Sequence, residues 1–65
     1  MSKLKERREA LGLTQRQVAE KIGIAESAYQ RYERAVVEPS VSAAIKLAKA
    51  LNTTVEYLYL KSEES

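Results

Sequence analysis

The chain predicts an all-α fold, a compact bundle of five short helices around one core, and three observations carry that prediction. Apolar residues recur at helical spacing in successive segments, and glycine, proline and cap-type residues punctuate those segments. No stretch alternates with period two for long enough to form a strand. At 65 residues the chain has room for about one core. It therefore reads as a single domain over residues 1–65, with its core at about 3–60 and a frayed tail at 61–65.

Leu4 and Leu11, seven apart, mark one face of a first helix from about residue 3 to Ala10 or Leu11, and Gly12 ends it. Thr14 and Gln17 have the form of a capping box, so a second helix starts at Thr14, with Leu13 placed to staple against Val18. Val18, Ala19 and Ile22 make its buried stripe, and Gly23 stops it because glycine takes a left-handed backbone without a side-chain clash. In a third helix Ala25, Ala28, Tyr29 and Tyr32 fall on one side, while Glu26, Ser27, Gln30, Arg31 and Arg34 fall on the other. One side packs; the other is free to read a partner.

Residues 35–39 form a loop, since Pro39 cannot sit inside a helix and biases Glu38 away from helical dihedrals. Val36 and Val37 are unusual in a loop, and one of them is expected to plug the core. Ser40 caps a fourth helix whose stripe is Val41, Ala44, Ile45, Ala48 and Leu51, widened by Leu47, with Lys46 and Lys49 facing away. Asn52 suits its end. A short fifth helix starts either at Thr53, in a capping box with Glu56, or one residue later at Thr54, and it turns Val55 and Leu58 inward.

Composition narrows the function classes. With no cysteine and no histidine, the chain lacks disulfides, thiolate chemistry and the commonest zinc ligands, so neither a metal nor a cofactor is expected. No glycine-rich phosphate loop is present and no base is available to activate a serine or tyrosine, which argues against an enzyme. No apolar run approaches the roughly 20 residues needed to span a bilayer, and the start MSKLKERRE is charged where a signal peptide needs an apolar stretch. A cytoplasmic location is expected, with no membrane partner. Net charge is only +2, but residues 1–34 hold eight Lys/Arg against five Glu, a balance of +3, and residues 35–65 hold three against four, a balance of −1. Positive charge thus sits in the half of the chain that holds the second and third helices, as a phosphate footprint requires, although solvated helix surfaces would look the same.

With these residues in place the chain resembles the Cro and lambda-repressor type of helix-turn-helix domain, also called the XRE family of bacterial and phage regulators. The resemblance runs over about residues 4–60 and rests on Arg8 with GLTQ at 12–15, VAEKIGI at 18–24, YERAVVEPS at 32–40 and IKLAKALN at 45–52. It implies a sequence-specific regulator of transcription, repressor-type, bound as a homodimer to a pseudo-palindrome in double-stranded DNA. In the family's docking mode the helix at about 25–34 enters the major groove. Glu26, Ser27 and Arg31 match the base-reading positions, and Gln30 and Arg34 share that face, suited to backbone or a neighbouring base. Arg31 is the best fitted to a specific contact, because its planar fork can bond guanine O6 and N7 together. Gln15 is similar to a residue that contacts phosphate and braces the reading helix, and Arg16, Gln17, Lys21 and Ser40 are the further backbone candidates. Arg8 and Glu33 match positions that family members often fill with a partly buried ion pair.

The chain departs from the family pattern in four places. Ala25 stands where Ser or Thr usually caps the reading helix, and Ala35 where Gly usually follows it. Val36 and Val37 replace polar or basic residues. Glu26 either accepts from cytosine N4, excludes wrong sites, or serves only as a favourable charge at a helix N-terminus. Tyr57, Tyr59 and Leu60, with Val36 or Val37 (Val37 preferred), are candidate dimer contacts, unless Leu60 and one tyrosine simply close the core. The competing function is a protein-interaction module, such as an antitoxin or regulatory partner, with weak or no DNA binding.

Overall fold

A computed structural model of the protein describes residues 2–60. The side chain of Leu60 and the tail expected at 61–65 lie outside the described residues. The elements in order are α1 (Leu4–Ala10), α2 (Gln15–Ile22), α3 (Glu26–Glu33), α4 (Val41–Ala50) and a terminal π-helix (Glu56–Leu60). There is no strand among the described residues, and none of their helices is long and apolar enough to cross a membrane.

The helix starts follow local chemistry. At α2 the Thr14 hydroxyl accepts from the Gln17 amide at 3.0 Å while Gln17 Oε1 accepts from the Thr14 amide at 2.8 Å, which closes the capping box in both directions. Ser40 Oγ accepts from Ala43 N at 3.1 Å and starts α4. Thr54, not Thr53, starts the terminal helix, its hydroxyl accepting from Tyr57 N at 3.0 Å. Thr53 is spoken for, because its amide donates to Ala48 O and completes the end of α4.

The four α-helices all stop in the same way. A residue of positive φ follows the last turn, and the next amide reaches back five residues: Leu13 to Arg8, Ile24 to Ala19, Val36 to Arg31 and Thr53 to Ala48. The left-handed residues are Gly12, Gly23, Ala35 and Asn52. Ala35, at φ 62°, is the costly one, since its Cβ crowds the following carbonyl by about 1–2 kcal/mol.

Leu4, Val18, Tyr29, Leu47, Leu51 and Leu58 are fully buried and form the centre of the core with Ala19 and Ala48. Helix α2 packs on both α3 and α4, and Ala19 is small enough to sit inside that packing. Helix α1 closes the bundle from outside. Its N-terminal Lys3 amide donates to Leu58 O at 3.0 Å, and Arg7 donates through Nε to Leu51 O at 2.9 Å and through Nη2 to Asn52 O at 3.0 Å. Arg7 thereby occupies two carbonyls at the end of α4 that would otherwise face water.

Several core expectations are corrected. Helix α4 turns Ala44, Leu47, Ala48 and Leu51 inward, so Val41 (79% exposed) and Ile45 (43%) sit at the rim of the apolar face. Neither Val36 nor Val37 plugs the core; both are exposed, because the left-handed turn at Ala35 carries the chain outward and the half-buried loop residue is Pro39. Leu11 lies past the last turn of α1 and is also exposed, and Leu13 packs on the core in its place. Ala25 holds the cap position of α3 and is exposed, which leaves Ala28, Tyr29 and Tyr32 as the packed side.

Candidate nucleic-acid interface

The position of α3 is set by one carboxylate. Glu33 Oε2 accepts from Arg8 Nε at 2.6 Å and from the Tyr29 hydroxyl at 2.6 Å, and its Oε1 accepts from Gln15 Nε2 at 3.0 Å and Arg8 Nη2 at 3.3 Å. The Arg8 side chain is 11% exposed and that of Glu33 is 5% exposed, so this is a buried pair, and Arg8 Nη1 also donates to Leu13 O at 3.0 Å. Burial by itself pushes the Glu33 carboxyl up, but the hydrogen bonds from Arg8, Tyr29 and Gln15 outweigh it and hold the group below its ordinary value. The bond to Glu33 raises Arg8 in turn, and burial, helped by Glu33, lifts the Tyr29 hydroxyl far above its usual range. Helices α1, α2 and α3 thus meet at Glu33.

Above this knot, Glu26, Ser27, Arg31 and Arg34 are exposed on the outer side of α3. Tyr29 lies fully buried beneath them, and Tyr32 packs partly against the core. Ala25 supplies no side-chain cap to α3, so Glu26 in the first turn is the local negative charge at that end. Gln30 differs from its neighbours. It is half-buried, and its Nε2 donates to Gln15 Oε1 at 3.1 Å, so it is not a wholly free side chain.

The expected backbone contacts divide by place. Gln15, Arg16 and Gln17 lie in the first turn of α2, and Ser40 caps α4, whose first amides also point outward. Arg16 pairs with Glu20 at 3.4 Å across an exposed surface. Lys21 is about 9 Å along the helix from Gln15. There it shares a shallow depression with Lys46 and Lys49, away from the start of α2.

The dimer candidates separate too. Tyr57 packs partly on the core under the Lys3 ammonium, 5.5 Å from the ring centroid. Tyr59 lines a groove of about 420 Å³ with Val37, Val41, Ile45 and Val55. Its hydroxyl is buried without a hydrogen-bond partner among the described residues, and burial, with Tyr32 and Glu38 nearby, pushes it up to about 12. Sequence reasoning missed Val41 and Ile45 as parts of this groove, since both carry the spacing of a core stripe. The resemblance gave Gln15 as a brace of the reading helix, but sequence reasoning did not name Gln30 as its partner, for which the only signal was a second amide on the polar side of α3.

A short helix crossing beneath a second helix, with the outer side of the second left open, defines the helix-turn-helix class. The chain belongs to the helix-turn-helix family of XRE type, whose family model matches residues 4–58. That family is one of DNA-binding transcription regulators rather than an enzyme class. The chain is 36% identical over 63 residues to the HTH-type transcriptional regulator ImmR of Bacillus subtilis (strain 168), covering 97% of this chain and 50% of that protein. It is 39% identical over 56 residues to the uncharacterized HTH-type transcriptional regulator YobD of the same strain, covering 86% of this chain and 50% of that protein. An uncharacterized HTH-type transcriptional regulator of Archaeoglobus fulgidus is 29% identical over 63 residues, 97% of this chain and 90% of that protein. The chain spans about half the length of the two Bacillus relatives.

Proposed function

We propose that this chain is a sequence-specific double-stranded-DNA-binding regulator of transcription, repressor-type, that lays α3 in the major groove and binds a pseudo-palindromic operator as a homodimer. One observation carries the reading: Ser27 and Arg31 are exposed on a helix whose opposite side is anchored by buried Tyr29 and the Arg8–Glu33 pair. A rigid helix with an open polar flank is what base readout requires. Arg31 is assigned to guanine, Ser27 and Glu26 to adjoining base edges, and Arg34 to the backbone. The amides and side chains at the starts of α2 and α4, including Gln15, Arg16, Gln17 and Ser40, are assigned to phosphates. Lys21 is left a weak backbone candidate by its place beside Lys46 and Lys49.

The dimer contact is assigned to the apolar groove, keeping Val37 and Tyr59 from the sequence reading and adding Val41 and Ile45; Tyr57 and Leu60 are secondary candidates. Selection of bound duplexes from a random pool tests the whole reading. Enriched half-sites about 34 Å apart support it. Affinity should also fall with salt at a slope near −0.9 per phosphate neutralised. Ile45→Lys should shift sedimentation toward monomer and weaken operator binding while preserving helicity.

The second reading, a protein-interaction module, is favoured by the same exposed Val36, Val37, Val41 and Ile45. It predicts no enriched duplex and a partner affinity almost indifferent to salt.

A further inference from the structure

We propose that the depression shared by the ends of α2 and α4 is a second binding surface, which docks an extended acidic segment of a partner protein while the reading side of α3 stays free. Lys21, Lys46 and Lys49 line it, all three exposed, with Ile22, Gly23 and Ala50 between them. None of the three lysines pairs with a carboxylate among the described residues. Glu20 is the one acidic residue of the lining, and it already meets Arg16 at 3.4 Å. Three cations beside one engaged anion leave the depression short of negative charge.

Hydrogen-bond donors are short there too. The carbonyls of Lys21, Ile22 and Gly23 at the end of α2, and of Ala50 at the end of α4, accept no hydrogen bond among the described residues. Those of Ala19, Glu20, Ala48 and Lys49 are taken by the closing amides. A DNA backbone could meet the lysines but has no hydrogen for the carbonyls, and two helix C-termini carry partial negative charge that works against it. A polypeptide rich in Asp or Glu offers both, carboxylates for the ammoniums and backbone N–H groups for the carbonyls.

Position decides what such a contact can do, and this step rests on the regulator reading above. The starts of α2 and α4 are assigned to phosphates, and Lys21 lies about 9 Å along α2 from Gln15 and Lys49 about 14 Å along α4 from Ser40. The depression is thus at the helix ends remote from the duplex, and a DNA-bound protein can hold a partner there. Its lysines stay in water, so the contact is weak, fast and sensitive to salt, unlike the apolar contact of the second reading.

The probe is hexaglutamate, with hexaglutamine as its uncharged control, titrated by NMR into the isotope-labelled full chain, both free and bound to its selected duplex. Saturable shifts should reach the amides of Lys21, Ile22, Gly23, Lys49 and Ala50 in both states, and hexaglutamine should leave them unmoved. Lys46→Gln together with Lys49→Gln should weaken hexaglutamate binding roughly tenfold and leave duplex affinity unchanged. Both side chains are exposed, so the double variant keeps the fold. Absence of a saturable shift at the depression, an unaltered affinity in the double variant, or equal binding of hexaglutamine overturns the proposal. So does a second duplex that moves the same amides at lower concentration than hexaglutamate, which would make the depression a nucleic-acid surface. Failure to enrich any duplex overturns the regulator reading instead, since titration of the free chain tests the depression by itself.

Discussion

Tyr29 donates its hydroxyl to Glu33 Oε2 at 2.6 Å, one helical turn along α3, and shares that oxygen with the Arg8 guanidinium. A fully buried aromatic ring at position 29 is thereby given a polar end that touches the buried carboxylate. The packed side of α3 and the ion pair that orients it are a single unit, and the stability of the one depends on the other.

Removing Glu33 strands both a guanidinium and a buried hydroxyl. Glu33→Ala should cost about 3–5 kcal/mol, the range for breaking one half of a buried pair. Glu20→Ala removes only an exposed partner of Arg16 and should cost about 0–1 kcal/mol. Urea unfolding of the two variants side by side is the measurement, and equal midpoints would refute the buried-pair account.

The same carboxylate makes folding sensitive to acid. In the unfolded chain Glu33 takes up its proton near the ordinary value of 4.5, and in the folded protein only at lower pH. Between those values the unfolded state binds more protons, so stability rises with pH. The contribution is fully present above the unfolded value and is lost as pH falls through the folded one. Glu33→Gln should flatten this part of the profile, which unfolding free energies measured from about pH 6 to about pH 3 will reveal.

Ala35 ends α3 in a conformation that suits glycine, and its cost lies in the backbone. Ala35→Gly should raise stability by about 0.5–1 kcal/mol, the strain relieved less the entropy of a freer unfolded chain. In a domain of this size that is several degrees in Tm. The mirror experiment is Gly23→Ala, where an added Cβ would meet nothing within 4 Å, so any loss reports backbone strain, less the unfolded-chain entropy the methyl removes, and no steric contact. A fall in Tm for Ala35→Gly would contradict the assignment.

Arg31 has no part in the Glu33 knot. Arg31→Ala should leave the melting curve nearly unchanged and lower affinity for the selected duplex by about 1–3 kcal/mol. A variant that still discriminates its selected duplex from a scrambled one would remove Arg31 as a reader.

Local chemistry was legible in the sequence. The Thr14–Gln17 box, the Gly23 stop and the Ser40 cap are short-range bonds whose donors and acceptors lie within a few residues, so residue type and spacing suffice. The rotation of α4 was not legible. Val41 and Ile45 have the same apolar character and period as Ala44 and Ala48, and only the position of α2 decides which of them is covered. Gln15 was expected to brace the reading helix, but Gln30 as its partner could not be read, since that amide looks like ordinary helix surface until two helices bring the pair within 3.1 Å. Ala35 lacks the residue type that signals a left-handed stop, glycine or asparagine, and only the family pattern, with Gly at that place, pointed to it.

The clasp made by Lys3 and Arg7 joins residues separated by 44 and more positions, nearly the span of the domain. Leu51 and Asn52 directly follow α4, so the first helix cannot complete its clasp until every other α-helix of the domain has been made. Trimming the N-terminus through Arg7 would strip the seam of its donors and leave the carbonyls of Leu51, Asn52 and Leu58 without them.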